Sequence, residues 1–159
     1  MSRDITFIPL GGGQSVGASC YYLQIGDTKV ILDAGTGMKE GMEFEPKFHS
    51  LLTSPFLQSM NQISQIFISH AHADHVGYLL RLMKQSTYAN VCMTEITKTL
   101  AEYQLYDRMF IGNNVQNEKE RLAAKSLFDR ITPVITPRKL LLSPGCYKPV
   151  SCMKMIMKA

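Results

Sequence analysis

The stretch from His70 to His75 reads HAHADH and places four metal-ligand side chains within six residues. Imidazole and carboxylate ligands together suit zinc and its borderline neighbours. In an extended segment alternate side chains share one side, so His70 and His72 can reach one ion together. Asp74 continues this alternation, whereas His75 points elsewhere as a helix begins. We therefore predict two adjacent ions. His70 and His72 bind one of them. Asp74 and His75 bind the other.

A metal site explains this cluster better than surface or core histidines do. Three of the chain's four histidines lie in the stretch, interleaved with an aspartate. So many ionisable groups at the end of a strand would be costly to desolvate without a metal or other partners. The fourth histidine, His49, stands alone and is expected at the surface.

The composition indicates a single folded domain. The chain has 159 residues, 45% of them apolar, which is enough for one core and too short for two ordinary domains. The net charge of +4 permits a polyanionic substrate, but no concentrated basic run points to nucleic acid.

The four cysteines, at positions 20, 92, 146 and 152, lack the paired spacing of a zinc-binding motif. The amino terminus, MSRDITFIPLGGG, has no apolar signal core. No run approaches the ~18 apolar residues of a membrane span. We therefore expect a cytoplasmic protein that does not enter a membrane, with its thiols reduced and buried as small hydrophobes.

Three short apolar runs precede the motif and predict an antiparallel meander, Ile5–Leu10, Cys20–Ile25 and Lys29–Leu32. The loop that begins with Gly11–Gly13 leads into a strand, so it is not a dinucleotide fingerprint, which should open a helix. Two interpretations of this loop stay open. It is either a flexible connection or a loop whose bare backbone approaches the metal site or a substrate.

Asp33 follows the third of these apolar runs directly, so its carboxylate needs partners. We favour a supporting role in which Asp33 orients a metal-bound histidine through that ring's free nitrogen. The alternative is a turn-forming Asp ahead of Gly35.

The segment Thr36–His49 has no clear period and is expected to be a long loop that borders the site. Ser54 followed by Pro55 predicts the start of a short helix that ends near Asn61.

The motif itself is expected at the carboxyl end of a buried strand, Ile66–Ser69, which is where sites form in α/β sheets. Apolar residues at helical spacing then predict a helix from about His75 to Lys84, with Asp74 as its cap.

Further strands and helices follow the motif. A strand at Asn90–Met93 leads to a helix that is capped by Thr94 and ends near Phe110. Its core-facing side chains are expected to be Ile96, Leu100, Tyr103 and Phe110. The elements predicted after it are a charged helix over Asn117–Arg130, an edge strand or a connection in Ile131–Thr136, and strands at Leu140–Leu142 and Ser151–Met157. The fold class is α/β (α+β).

These motifs, in this order, resemble the metallo-β-lactamase fold. The resemblance rests on Leu32–Gly35 after the meander and on Ser69–Gly77, which contains the HxHxDH motif. Pro9–Cys20 and Thr94–Lys98, followed by a helix with Asp107, are similar to the β-CASP branch, the RNA-processing nucleases that include the cleavage and polyadenylation endonuclease.

The resemblance implies an αββα sandwich with two zinc ions and RNA as the substrate. By the family pattern His70 and His72 bind one zinc and Asp74 and His75 the other. Asp33 supports them. Asp74 would also act catalytically, by orienting or deprotonating a bridging water that attacks the scissile phosphorus.

The sequence departs from the family pattern downstream of the motif. The family supplies a His in an Ala-Gly-His element, a bridging Asp and a late His, whereas no His follows His75 here. We therefore expect residues 1–159 to be the amino-terminal part of a single metallo-β-lactamase domain. The sandwich would be incomplete, the β-CASP domain absent, and nuclease activity and zinc affinity of the isolated chain low.

Three functions are compatible with these features. The first is a zinc-dependent RNA nuclease, present as an incomplete chain. The second is another hydrolase of the same fold, acting on a thioester, a lactam or a small phosphodiester. The third is a non-catalytic fragment or partner-binding subunit. The Gly-rich opening favours the first.

Overall fold

A computed structural model describes residues 4–111 and 118–134 of the chain. The strands are Ile5–Gly11 (β1), Cys20–Ile25 (β2), Thr28–Leu32 (β3), Gly37–Lys39 (β4), Met42–Phe44 (β5), Gln65–Phe67 (β6), Asn90–Thr94 (β7) and Thr132–Val134 (β8). The helices are Phe48–Leu52 (α1), Ala73–Val76 (α2), Leu79–Gln85 (α3), Glu95–Ile111 (α4) and Glu118–Asp129 (α5), with a 3₁₀ turn at Met60–Gln62. The strands predicted at Leu140–Leu142 and Ser151–Met157 lie outside the described residues.

Six of the strands form one mixed sheet in the order β1-β2-β3-β6-β7-β8. The first three are antiparallel, as the short connections between them predict, and β6, β7 and β8 add in parallel. The α/β (α+β) class is thereby confirmed. Because β6 lies between β3 and β7 and runs parallel to both, the three strands end at the same edge and deliver their following residues there.

One face of the sheet packs against the helices. Tyr22, Ile31, Ile66 and Val91 lie side by side in register on this face and are buried in the same cluster as the apolar side of α3. The opposite face carries Phe7, which stacks on Tyr21 at a ring-centroid distance of 5.6 Å and is 56% exposed. None of the described helices is long and apolar enough to cross a bilayer.

The segment Thr36–His49 is more ordered than the predicted long loop. It holds the hairpin β4–β5 and the first residues of α1. The hairpin turns at Glu40 and Gly41, and both have positive φ angles of 52° and 78°, as two-residue turns of this kind require. His49 is exposed, as expected.

The prediction that a helix begins at Ser54 is wrong, because Ser54 follows the end of a helix instead of preceding the start of one. Its hydroxyl donates to the Leu51 carbonyl at 2.5 Å, at the end of α1. The residue at the start of α1, Lys47, makes no side-chain cap, so the sequence carried no signal for that start.

The single helix predicted over His75–Lys84 is two helices. They are separated at Gly77 and Tyr78, where the Tyr78 N–H donates to the Ala34 carbonyl at 2.8 Å. Asp74 is not a cap, since α2 begins one residue earlier and His72 occupies the N-cap position without a side-chain bond.

The face of α4 that we expected in the core is exposed. Its exposed fractions are 73% at Ile96, 56% at Leu100 and 74% at Tyr103, whereas Ala101 and Leu105 are buried. The side chain of Phe110 lies outside the described part of the chain.

The packing around α4 explains its rotation about the helix axis. The Thr97 N–H donates to Thr94 Oγ1 at 3.1 Å, which confirms the predicted cap. Lys98 then reaches across to the Ile131 carbonyl at 3.1 Å. These two bonds, with small Ala101 against the core, turn the larger apolar side chains outward. At the other end of the sheet β8 pairs only with β7 among the described strands, as the prediction of an edge strand requires.

Candidate metal centre

Hydrogen bonds from neighbouring segments hold the backbone of the motif in place. Three consecutive carbonyls of α2 accept N–H groups from outside the helix, at 3.0 Å for Ala73, 2.8 Å for Asp74 and 2.8 Å for His75. The donors are Thr36, Ser19 and Ala34 respectively. The start of α2 is therefore fixed by the loop before β2 and by the turn after β3.

Gly35 is required for this close approach. A Cβ atom at this position would lie 1.7 Å from the carbonyl oxygen of Asp74, which is far inside van der Waals contact. The Gly35 N–H donates to the Ser19 carbonyl at 3.0 Å, so the turn also holds the other segment that contacts the motif.

Asp33 lies under the motif and is 8% exposed. Its φ of 59° is in the left-handed region, which Asp and Asn tolerate better than most residues. Oδ1 accepts the Ser69 N–H at 2.7 Å, and Oδ2 accepts the Ser69 hydroxyl at 2.9 Å and His75 Nδ1 at 2.8 Å. A backbone group, a hydroxyl and an imidazole thus share one carboxylate.

These bonds assign the tautomers of two histidines. A carboxylate only accepts, so His75 Nδ1 carries the proton that it donates to Asp33. The Ser69 hydroxyl spends its proton on Asp33, so it must accept from His70 Nδ1, 2.9 Å away. A neutral ring that carries its proton on Nδ1 has its Nε2 lone pair available to a ligand.

The imidazoles lie together at the exposed end of the motif. The ring centroid of His70 is 4.8 Å from that of His72 and 4.0 Å from that of His75. The Asp74 carboxylate is 43% exposed, and its Oδ2 lies 3.6 Å from His75 Nε2, which is beyond a hydrogen bond. The structure therefore brings all four predicted ligands and Asp33 into one cluster.

The donor set suits zinc chemically, although no common centre is formed. Among the described residues no three His, Cys, Asp or Glu side chains are arranged to hold one ion. The free Nε2 atoms of His70 and His75, fixed by bonds at Nδ1, are nevertheless the arrangement found around metal-bound histidines. The division of ligands between two ions stays a prediction.

Sequence reasoning missed the part that Ser69 plays. This residue joins Asp33 to the His70 ring through its hydroxyl, and its own N–H binds the same carboxylate. The available signal was a hydroxyl residue directly between an apolar strand and the first histidine.

A cavity of about 250 Å³ lies beside Asp33 and Ser69, at the carboxyl ends of β3, β6, β7 and β8.

Cys20 is fully buried near this cluster. Burial chiefly, and the charge of Asp33 in addition, raise the pKa of the Cys20 thiol well above its usual range. Burial also raises the pKa of the Tyr22 hydroxyl. Cys20 therefore remains a neutral thiol and behaves as the small buried hydrophobe that we expected.

A family model decides the classification, since the model of the metallo-beta-lactamase superfamily matches residues 14–139. The chain belongs to this superfamily. The chain is similar in structure to a Thermotoga maritima protein described as a putative metallo-beta-lactamase, with a TM-score of 0.50 and 15% identity over 86% of this chain and 62% of that one. That likeness confirms the fold predicted from the motif.

This chain is also distantly similar in sequence to nucleases. It is 33% identical to the endoribonuclease ysh1 of Schizosaccharomyces pombe over 138 residues, which are 82% of this chain and 17% of that protein. Over 108 residues it is 32% identical to the cleavage and polyadenylation specificity factor 73 of Drosophila melanogaster, covering 66% of this chain and 15% of that protein. These sequence identities confirm the predicted resemblance to the β-CASP branch as a distant one. The chain spans about a sixth of the length of these relatives.

Proposed function

We propose that this chain carries the amino-terminal metal-binding element of a zinc-dependent nuclease that cleaves phosphodiester bonds in RNA. Two observations of different kinds support the proposal. The relatives named above include an endoribonuclease, and the cluster of His70, His72 and His75 rests on Asp33 with free Nε2 atoms on two of its rings.

In this proposal His70, His72, Asp74 and His75 hold zinc. Zinc, when bound, acidifies a water molecule and polarises a phosphoryl oxygen. Asp33 keeps the proton of His75 on Nδ1 and thereby leaves Nε2 to face the ion. Ser69 keeps the proton of His70 on Nδ1 in the same way, because its hydroxyl donates to Asp33 and accepts a hydrogen bond from His70 Nδ1.

Asp74 is suited to a second task in this proposal. Among the residues that the structure describes, no side chain hydrogen-bonds the Asp74 carboxylate, and His75 Nε2 lies 3.6 Å from its Oδ2. A carboxylate held by its backbone and otherwise uncommitted can bind metal and also accept a proton from an attacking water.

The proposal is tested by giving the zinc-loaded chain four substrates: a labelled single-stranded RNA, a small phosphodiester, a thioester and a β-lactam. The protein is used in excess over substrate, because we expect turnover by residues 1–159 to be slow. We expect RNA cleavage that the His72→Ala variant and a chelator both abolish. Turnover of the thioester or the lactam, with the RNA left intact, would overturn the proposal in favour of another hydrolase of this superfamily.

A matched variant separates loss of the metal site from loss of the fold. His49→Ala removes an exposed histidine outside the motif, so it should cleave RNA as the unchanged chain does. Equal loss in both variants would mean that the cleavage does not come from the motif.

A further inference from the structure

A second concave site lies beside the glycine-rich loop, away from the histidines. It is a cavity of about 390 Å³ between the residues that follow β1 and the segment that joins β5 to α1, and we name it the loop groove. Its walls include Gly12, Gly13, Phe44 and Lys47, and no residue of the histidine motif lines it. Its volume falls within the roughly 300–1,000 Å³ of ligand sites.

The floor of the loop groove offers backbone donors. Within residues 4–111 and 118–134, the N–H groups of residues 12–15, which line the groove, donate no hydrogen bond to the protein. Successive N–H groups at a turn with a left-handed residue form a concavity that attracts anions, and Gly12 has a φ of 71°. Side chains are excluded here, because a Cβ at Gly13 would lie 2.7 Å from Pro9 Cβ and one at Gly12 would lie 2.8 Å from the Tyr21 hydroxyl.

One wall of the loop groove carries a cation. Lys47 is held there by its backbone N–H, which donates to the Leu10 carbonyl at 2.9 Å, and its side chain is exposed. No carboxylate of the described residues lies within 4.0 Å of its ammonium group. Glu45 also lines the groove, and its carboxylate pairs with Arg81, which offsets its charge. The charge that remains in the groove is positive.

The segment that carries Lys47 also contributes an aromatic ring to the lining of the groove. Phe44 is half buried, and its ring packs over Gly37 so closely that a Cβ there would lie 2.2 Å from Phe44 Cζ. The missing side chain at Gly37 therefore fixes the position of the ring. Aromatic rings presented beside cationic groups are the usual platform for unstacked bases of single-stranded RNA.

We propose that the loop groove binds one nucleotide of a single-stranded RNA. The N–H groups of residues 12–15 and the ammonium of Lys47 bind its phosphate, and Phe44 stacks on its base. This inference rests on the proposed function and adds a binding subsite to it. The two sites are connected through one segment, because the same loop continues to Ser19, whose N–H donates to the Asp74 carbonyl.

The test is the affinity of the chain for a fluorescein-labelled oligouridylate, measured by anisotropy at several salt concentrations in the presence of a chelator. Without metal the measurement does not depend on zinc binding by the motif. Lys47→Gln should weaken binding about fivefold to tenfold and reduce the slope of log affinity against log salt by about 0.7, as expected for one lost phosphate contact on a single strand. Phe44→Leu should weaken binding at least about fivefold while leaving that slope unchanged, because stacking releases no counterions.

Lys84→Gln is the matched control, since it removes the same charge from an exposed lysine at the end of α3. We expect it to change affinity less than twofold. Equal effects of Lys47→Gln and Lys84→Gln, or no binding by the unchanged chain, would overturn the loop groove as an RNA site. Binding of inorganic phosphate that depends on Lys47, without binding of the oligouridylate, would overturn it as well and assign the groove to a free anion.

The outcome is separable from that of the proposed function. His72→Ala should bind the oligouridylate as tightly as the unchanged chain and cleave no RNA. If the groove variants lose affinity while zinc-dependent cleavage is never seen, the groove stands and the nuclease proposal fails.

Discussion

Replacing Asp33 by asparagine tests how the motif is organised. Asparagine has the same shape and tolerates the left-handed backbone of this position, where φ is 59°. It presents an amide N–H₂ in place of Oδ2, the oxygen that binds Ser69 and His75. His75 can then pair with it only by accepting at Nδ1, which moves the ring proton to Nε2.

The expected cost follows from the bonds that change. A charge-assisted bond to a partly buried carboxylate contributes about 1.5–3 kcal/mol, and a neutral bond that replaces it contributes about 1 kcal/mol. Because two such bonds change, we expect Asp33→Asn to lower the free energy of unfolding by about 1–4 kcal/mol in urea titrations with chelator present. Zinc affinity should fall about 10–100-fold, as is typical when the partner of a metal-bound histidine is lost.

Two measurements distinguish this explanation from simple destabilisation. Nitrogen NMR of the His75 ring should show the proton on Nδ1 in the unchanged chain and on Nε2 in Asp33→Asn. Competition with a chromophoric chelator gives the change in zinc affinity. Asp27→Asn, an exposed aspartate in the turn between β2 and β3, is the control and should alter neither. A ring that keeps its proton on Nδ1, with zinc affinity unchanged, would refute the role that we give to Asp33.

Three further predictions concern the framework around the motif. Gly35→Ala should lower the free energy of unfolding by at least about 3 kcal/mol, because its Cβ would overlap a carbonyl of α2. Gly26→Ala, where there is open space and only a strained φ, should lower it by about 1–2 kcal/mol. Urea unfolding measures both changes. Thr94→Ala removes the cap of α4 and should cost about 1 kcal/mol in the same assay, while Thr99→Ala, on the exposed face of that helix, should cost less than half of this. Because its pKa is raised, the Cys20 thiol stays protonated in the folded state at a pH where the unfolded thiol ionises. The free energy of unfolding should therefore fall by up to about 1.4 kcal/mol per pH unit above pH 9. Cys20→Ala should flatten that slope between pH 9 and 10. Equal slopes in the two proteins would contradict the last prediction.

The parts of the fold that the sequence predicted correctly depend on local, strongly patterned signals. The strand Cys20–Ile25 has the predicted bounds because an apolar run defines it and a two-residue turn follows its carboxyl end. Asp33 was singled out for a local reason as well, since a carboxylate directly after a buried strand needs donors. Its pairing with His75 required only that the two segments meet at one edge of the sheet.

The parts that were missed depend on side-chain size and on distant partners. Hydrophobicity alone predicted Ile96 and Tyr103 in the core, yet the helix turns small Ala101 inward and bonds Lys98 to a carbonyl 33 residues away. The end of the first motif helix at Gly77 depends similarly on a bond from Tyr78 to the turn after β3. Neither contact leaves a mark in the local sequence pattern.

The three bonded carbonyls at residues 73–75 have a consequence for protein engineering. Main-chain groups from two other segments determine where α2 begins. The position of the helix therefore does not depend on the side chains that project from it. Donor atoms could be exchanged, an imidazole for a thiolate or a carboxylate, without dismantling their support. The metal selectivity of a cluster supported in this way can therefore be changed one ligand at a time.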